Sequence, residues 1–384
     1  MTSPSGYSSP LLRRPGAFAA SGADAGVAAH YGNPIAEQRA LARRSKLTLV
    51  DYSHLGIVTV AGPDRLSWLT TLSTQVLTGL GEGSSTELLL LTPQGRIEFS
   101  AYAVEQGGRV WLITEGAQAA PLADYLKRMK FMLEVEVTDL TESYAVLGST
   151  VDPRTCKDAS PALAAGVIWQ DPWAAGVAAG GYSYSAVEEN QHPGADYHRY
   201  LTIIPAHRLL DAVDGCQLAG SWAADALRIE AWRPRVGVDS DEKTIPHELD
   251  LMRTAVHLEK GCYKGQETVA RVHNLGHPPR RLTFLDLDGS EHTLPAVGTP
   301  VMNGAKQVGV ITSVALHHEA GPIALALLKR SVAPDAELRA IDGGDFDAQG
   351  NPAPATEYAC SQTLIVAPDA GQVVGRRTKG QFLR

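Results

Sequence analysis

The stretch of sequence that decides the fold of this chain is Lys260-Gly261-Cys262-Tyr263-Lys264-Gly265-Gln266-Glu267. It places one cysteine between two lysines and two glycines, and a carboxylate follows shortly afterwards. Glycine allows tight backbone turns and close approach to a ligand, and nearby ammonium groups favour a thiolate over a thiol. We therefore expect Cys262 to be a reactive thiolate assisted by Lys260. The alternative is a small buried side chain in a turn.

The composition is that of a globular protein with two or three domains, because 384 residues exceed one ordinary core and 44% of them are hydrophobic. The net charge of −8 argues against nucleic-acid binding through bulk electrostatics. No apolar run reaches membrane-spanning length, so we expect no membrane association. The four cysteines include no C-x-x-C pair, which predicts no metal site and no disulfide framework. We therefore expect a cytoplasmic protein.

Hydrophobic periodicity predicts a first module that contains both helices and strands. Asn33 fits a helix N-cap before Pro34, and apolar residues at helical spacing predict helices at 65–76 and 121–132. Short apolar runs bounded by turn residues predict strands at 50–60, 87–91, 96–104, 109–114 and 134–139. This order indicates an α+β module with a mostly antiparallel sheet.

The character of the sequence changes near residue 144 and again after the Pro278-Pro279 step. Beyond that step, short strands separated by turns predict a small β-barrel or sandwich. We expect five regions: a largely disordered tail with a short helix at 1–45, a first α+β lobe at 46–143, a second α+β lobe with the cysteine stretch at 144–278, a β-barrel at 279–345, and a poorly ordered tail at 346–384.

Together with Arg271 and the Arg281-Leu282 pair, the cysteine stretch resembles the signature of the YgfZ group, the folate-binding relatives of the glycine-cleavage T-protein (GcvT). The segment Leu227-Arg228-Ile229-Glu230-Ala231, with Pro234 and Gly237, resembles the wider aminomethyltransferase superfamily. The resemblance extends over residues 48–330. It implies two related α/β lobes and a C-terminal β-barrel lobe, arranged as a ring around a central hole.

The resemblance also implies tetrahydrofolate as the cofactor. It further implies support of iron–sulfur cluster assembly or repair in client enzymes, including enzymes that modify tRNA, without independent turnover. Glu230 matches the superfamily glutamate that accepts the pterin N–H and amino groups. Lys260, Lys264 and Arg271 would attract the anionic tail of the folate. The alternatives are an exposed helix carboxylate for Glu230 and solvated surface charges for the three cations.

The sequence departs from the T-proteins where these have an adjacent pair of acids after a glycine turn. Here the matching positions hold Glu98 and Phe99, which puts aminomethyl transfer in doubt. Glu98 is also compatible with a plain outward-facing strand residue. Two further functions stay open: a folate-dependent aminomethyltransferase or demethylase, and an interaction scaffold that needs no folate. Trp232, which follows Glu230 closely, either stacks on the pterin or packs in the core.

Overall fold

A computed structural model describes residues 6–343 and 354–371. The N-terminal segment begins with a 3-10 turn at Pro10–Arg13 and a hairpin of β1 (Phe18–Ala19) and β2 (Ala28–His30), and continues into α1 (Pro34–Arg43). Asn33 caps α1, because its side chain accepts the backbone N–H of Ala36 at 3.0 Å.

Residues 6–45 are packed rather than disordered, so the structure differs here from the expected N-terminal tail; residues 1–5 lie outside the described residues. Leu11 is fully buried in a cluster with Leu49 and Leu147. Asp24 is also buried, and its carboxylate accepts a hydrogen bond of 2.7 Å from Arg235. Partners far along the chain therefore hold this segment in place.

The first sheet follows β3 (Thr48–Asp51), which belongs to another sheet. Its five strands are β4 (Gly56–Ala61), β5 (Ser85–Leu91), β6 (Ile97–Gln106), β7 (Arg109–Thr114) and β8 (Glu136–Asp139), in the antiparallel order β5-β6-β7-β4-β8. Two helices, α2 (Arg65–Leu72) and α3 (Gly116–Met129), bury Trp68, Leu69, Leu122 and Leu126 in the core of this sheet.

The second sheet has the order β10-β11-β9-β3-β12. Its elements are β9 (Tyr144–Ser149), α4 (Pro161–Ala164), β10 (Val167–Gln170), β11 (Tyr200–Pro205), α5 (Leu209–Ala212), β12 (Gln217–Ala219) and α6 (Ser221–Glu230). Because β3 lies between β9 and β12, the predicted strand at 50–60 is in fact two strands in different sheets. The first strand of the expected first lobe thus belongs to the second sheet.

The C-terminal part is a closed six-stranded barrel in the order β13-β16-β15-β14-β17-β18. It follows α7 (Gln266–Leu275) and consists of β13 (Arg280–Leu287), β14 (Pro300–Asn303), β15 (Lys306–His317), β16 (Gly321–Lys329), β17 (Leu338–Gly343) and β18 (Ala355–Leu364). The expected mixed fold with a C-terminal barrel is confirmed. The expectation of poor order at 346–384 is wrong for β18, which closes the barrel; 346–353 and 372–384 lie outside the described residues.

Single 3-10 turns connect several of these elements, at Gly22–Asp24, Pro153–Thr155, Pro172–Ala175, Glu189–Gln191, Pro193–Asp196, Ala206–Arg208 and Pro246–Leu249. Among the described residues, no helix is both long and apolar enough to cross a membrane.

One apolar cluster joins all three parts of the molecule. It contains Leu91 and Ile97 of the first sheet, Ile229 of α6, Tyr263 of the cysteine stretch and Leu325 of the barrel. A second cluster packs the two sheets on each other, for example Ile57 and Ile113 against Val146 and Ile203. The cysteine stretch is therefore anchored where the sheets and the barrel meet.

Candidate functional site

The loop from Lys260 to Gly265, which we call the Cys262 loop, leads directly into α7. Gly265 is in the left-handed region with φ of 86°, and it abuts the turn between β5 and β6. A Cβ on Gly265 would lie 2.5 Å from the carbonyl oxygen of Thr92 and 3.1 Å from Cα of Gly95. Both the backbone conformation and the close approach therefore require glycine here.

Adjacent side chains of the Cys262 loop face opposite ways. Tyr263 is buried in the central cluster, whereas Gly261 and Cys262 are exposed. By contrast, Cys360 is buried in the barrel, where burial raises the pKa of its thiol to about 11. Cys262 therefore has the accessibility that reaction with a partner in solution requires, and it is not a packing residue.

The two lysines of the loop have partners other than the Cys262 sulfur. Lys260 is buried, its ammonium group donates to the carbonyl oxygens of Thr70 and Ser73, and it lies 4.7 Å from the ring centre of Tyr263. Burial lowers the pKa of Lys260 to about 8. The Lys264 ammonium lies 2.9 Å from the Glu98 carboxylate.

The Lys264 ammonium also lies over the ring of Tyr125, 5.4 Å from its centre. By contrast, Arg271, the remaining predicted cation, is exposed on α7. Of the three cations expected near the folate tail, Arg271 is therefore the one whose side chain makes no hydrogen bond or ion pair with another described residue.

Glu230 is the last residue of α6, and its side chain is 50% exposed. Its Oε2 lies 3.3 Å from Nε2 of His317 at the end of β15. His317 Nδ1 accepts the backbone N–H groups of Glu319 and Ala320, so the ring proton is on Nε2. This N–H lowers the pKa of Glu230 and keeps it ionised.

Trp232 is in the left-handed backbone region with φ of 57°, which is unusual for a bulky side chain. It is buried, and its ring packs edge-on against His192 with 5.3 Å between centres. Of the two alternatives for Trp232, the structure shows packing in the core.

Buried arginines on either side of Glu230 fix the backbone of this segment. Arg228 pairs with Asp239 at 2.8 Å, and Arg233 pairs with Glu87 at 2.7 Å. Arg235 is held by Glu115 and by Asp24, both at 2.7 Å. Charge-assisted hydrogen bonds of this kind are strong and directional when water is excluded. Glu230 is therefore held on a rigid support.

Sequence reasoning missed this network and the contact with His317. The three arginines are close together in the sequence, but Glu87 precedes Arg233 by 146 positions along the chain. Nothing in the local pattern around Glu230 indicated a histidine from the barrel. Such partners become apparent only when the fold brings the segments together.

The space around α6 limits where a folate fits. A small cavity of about 20 Å³ is lined by residues that include Leu227, Tyr52, Tyr197 and Arg199. This volume suits a single water, which needs at least ~10–15 Å³, whereas ligand pockets have about 300–1,000 Å³. The half-exposed carboxylate of Glu230 fits a pterin chemically, so a folate would have to lie on its open side rather than in this cavity.

A larger cleft of about 890 Å³ lies on the barrel. Asp286, Asp288 and Glu337 contribute to its lining, whereas Glu230 and Cys262 do not. Carboxylates repel the anionic tail of a folate.

The predicted site residues lie in two places. The structure brings Cys262 and Lys264 close to the β5–β6 turn and Glu230 close to the barrel, and it describes no contact between Glu230 and Cys262.

Comparisons with known proteins agree with this architecture. Residues 10–149 match the GCVT N-terminal domain. An aminomethyltransferase of Rubrobacter xylanophilus is 28% identical over 298 residues, which cover 74% of this chain and 75% of that protein. A putative chloroplastic transferase of Arabidopsis thaliana is 25% identical over 283 residues, which cover 70% of this chain and 61% of that protein.

A similar solved structure is that of the glycine cleavage system aminomethyltransferase T from Bartonella henselae. The TM-score is 0.67 with 19% sequence identity, and the match covers 94% of this chain and 97% of that one. The chain therefore has an aminomethyltransferase-like fold, and its residues 10–149 are similar to the GCVT N-terminal domain.

Proposed function

We propose that this protein binds a reduced folate, recognises the pterin through Glu230, and takes part in folate-dependent one-carbon transfer of the aminomethyl type. The observation that carries the proposal is the Glu230 carboxylate, which is ionised beside His317, half-exposed and fixed on a rigid support. Relatives that are named aminomethyltransferases support the same reading.

Glu230 can accept the ring N–H and the exocyclic amino group of a pterin side by side. His317 contacts only Oε2, so the other oxygen stays available for the second hydrogen bond. When bound, tetrahydrofolate supplies the nitrogen atoms that accept the one-carbon unit. The exposed cation of Arg271 can attract the anionic glutamate tail of the folate, whereas Lys260 and Lys264 already have protein partners.

A second candidate function is favoured by the exposure of Cys262 and by the Lys264–Glu98 ion pair. In that pair the Glu98 carboxylate of β6 already accepts a hydrogen bond from the Lys264 ammonium group, so one of its oxygens is not free for a substrate. The chain would then bind folate without turnover and support iron–sulfur cluster assembly or repair in cytoplasmic client enzymes, including tRNA-modifying ones, as in the YgfZ group. A single thiolate cannot hold a cluster alone, so the cluster would be shared with the client.

Turnover distinguishes the two functions. The purified protein is mixed with tetrahydrofolate and a methylated amine or an aminomethyl carrier, and methylenetetrahydrofolate is measured. Formation of the product supports one-carbon transfer. Folate binding without product supports the second function, and the absence of both product and binding would contradict the proposal.

The second function depends on the sulfur of Cys262. In cells that lack this protein, Cys262→Ser should fold and bind folate but fail to restore the activity of an iron–sulfur tRNA-modifying enzyme. Cys156→Ser, a change at a half-buried cysteine, should restore that activity like the unaltered protein. Full restoration by Cys262→Ser excludes a role for its sulfur.

A further inference from the structure

We propose that Lys260 is a positioning residue that fastens the Cys262 loop to the end of α2, and that it does not activate the Cys262 sulfur. The importance of the exposed Cys262 thiol rests on the proposed function. The role of Lys260 follows from contacts between residues 70–76 of the first lobe and residues 254–266 of the second.

The first observation is where the Lys260 ammonium lies. It donates to the carbonyl oxygens of Thr70 and Ser73, at the last turn of α2 and its C-cap. Carbonyl groups at a helix C-terminus have no partner within the helix, and the helix dipole favours a cation there. The backbone N–H of Thr74 goes instead to Leu89, so it does not satisfy the Thr70 carbonyl. Ser73 caps the Leu69 carbonyl, and Lys260 supplies the partner for the Thr70 carbonyl.

The second observation is how fully this ammonium group is engaged. Lys260 is 9% exposed, and the ring of Tyr263 covers it at 4.7 Å. Two of its three hydrogen-bond donors go to carbonyl oxygens, and the aromatic face stabilises the charge. A group held in this way is poorly placed to donate to a ligand or to stabilise a thiolate that faces solvent.

The third observation is that the contacts on both sides of Lys260 continue the same junction. On the N-terminal side, the N–H of His257 donates to the Thr74 carbonyl at 2.9 Å, and the Gln75 amide donates to the Thr254 carbonyl at 2.9 Å. On the C-terminal side, the Gln266 amide donates to the Lys260 carbonyl at 3.2 Å. Gly261 and Cys262 protrude between these two fixed points.

The test compares Lys260→Met with Lys264→Met, because both remove an ammonium group from the same loop. Methionine keeps most of the length of the Lys260 side chain but leaves the carbonyl oxygens of Thr70 and Ser73 without this donor. Hydrogen exchange of the hydrogen-bonded backbone amides that flank the loop, those of His257, Leu258 and Gln266, should become about tenfold faster or more in Lys260→Met. Lys264→Met should exchange like the unaltered protein, and Lys260→Arg should restore much of the protection, since a guanidinium can also donate to two carbonyl groups.

The second readout separates positioning from activation. The rate of alkylation of Cys262 by iodoacetamide is followed by peptide mass spectrometry as a function of pH. If Lys260 only positions the loop, Lys260→Met changes the alkylation rate at high pH. The midpoint of the pH profile stays the same as in the unaltered protein. A midpoint that moves to higher pH, or amide exchange that does not change, overturns the proposal. If Lys260→Met does not fold, Lys260→Gln keeps an uncharged NH2 donor group on a shorter side chain and should show intermediate exchange. Neither readout uses folate, so the outcome is independent of the proposed function.

Discussion

Gly265 carries much of the geometry of the Cys262 loop because it has no side chain. Its φ of 86° and its approach to Thr92 and Gly95 each exclude a Cβ. Gly261, in the same loop, has no left-handed φ, and a Cβ added to it would meet no neighbouring atom within 4 Å. The two glycines therefore have different roles despite their similar places in the sequence.

We predict that Gly265→Ala lowers the free energy of unfolding by about 2–4 kcal/mol, the sum of left-handed strain and steric overlap with backbone. Gly261→Ala should change it by less than about 0.5 kcal/mol. Urea unfolding of both variants measures the difference. Equal effects of the two substitutions would show that the loop does not depend on its contact with the β5–β6 turn.

At the level of residues, the sequence predicted the need for glycine but not the partners of the charges. The two lysines were expected to act on Cys262, yet their contacts are with the end of α2 and with Glu98. A charged residue in a loop can be recognised from the sequence, but the partner that its side chain contacts depends on which element packs beside the loop. The pairing of Glu230 with His317 could not be predicted for the same reason.

At the level of elements, local patterns predicted most strands but not their assignment to sheets. The run at 50–60 divides because the chain turns at 52–55 and its two halves enter different sheets. β18 escaped prediction because it is polar and partly exposed, and it becomes a strand by pairing with β13 and β17. Pairing partners far along the chain decide such cases.

The junction between β13 and the second lobe provides a prediction about pH. Arg280 at the start of β13 binds Asp241 with two hydrogen bonds, of 2.6 and 2.9 Å, and also contacts Glu248. The hydrogen bonds from Arg280 hold the pKa of Asp241 well below its usual range. A carboxyl group with a lowered pKa stabilises the fold above its unfolded pKa of about 3.9, and this contribution is lost as the pH falls further.

We therefore expect the free energy of unfolding to fall less steeply between about pH 4 and pH 2 in Asp241→Asn than in the unaltered protein. Urea unfolding at several pH values measures the slope. Asp335→Asn, at an exposed position of the barrel, is the matched control and should keep the original slope. The same slope in Asp241→Asn would mean that this ion pair does not contribute to the stability of the junction.

At the level of the whole molecule, the resemblance to the aminomethyltransferases predicted the two mixed lobes and the barrel. It did not predict that the N-terminal segment is built into the second lobe. A composition rich in Gly, Ala and Ser gives little sign of burial, whereas Leu11 and Asp24 are buried through distant partners. The rigid surroundings of Glu230 arise in the same way, from carboxylates contributed by several parts of the chain.

The measurement that tests the central claim most directly is calorimetric titration of tetrahydrofolate into the unaltered protein, Glu230→Ala and Glu142→Ala. Glu142 is an exposed glutamate in a turn and serves as the matched control. We predict binding to the unaltered protein and to Glu142→Ala, and an affinity about tenfold lower or worse for Glu230→Ala, because the pterin donors lose their acceptor. Equal affinity of Glu230→Ala and the unaltered protein, or no binding by any of the three, would contradict the account.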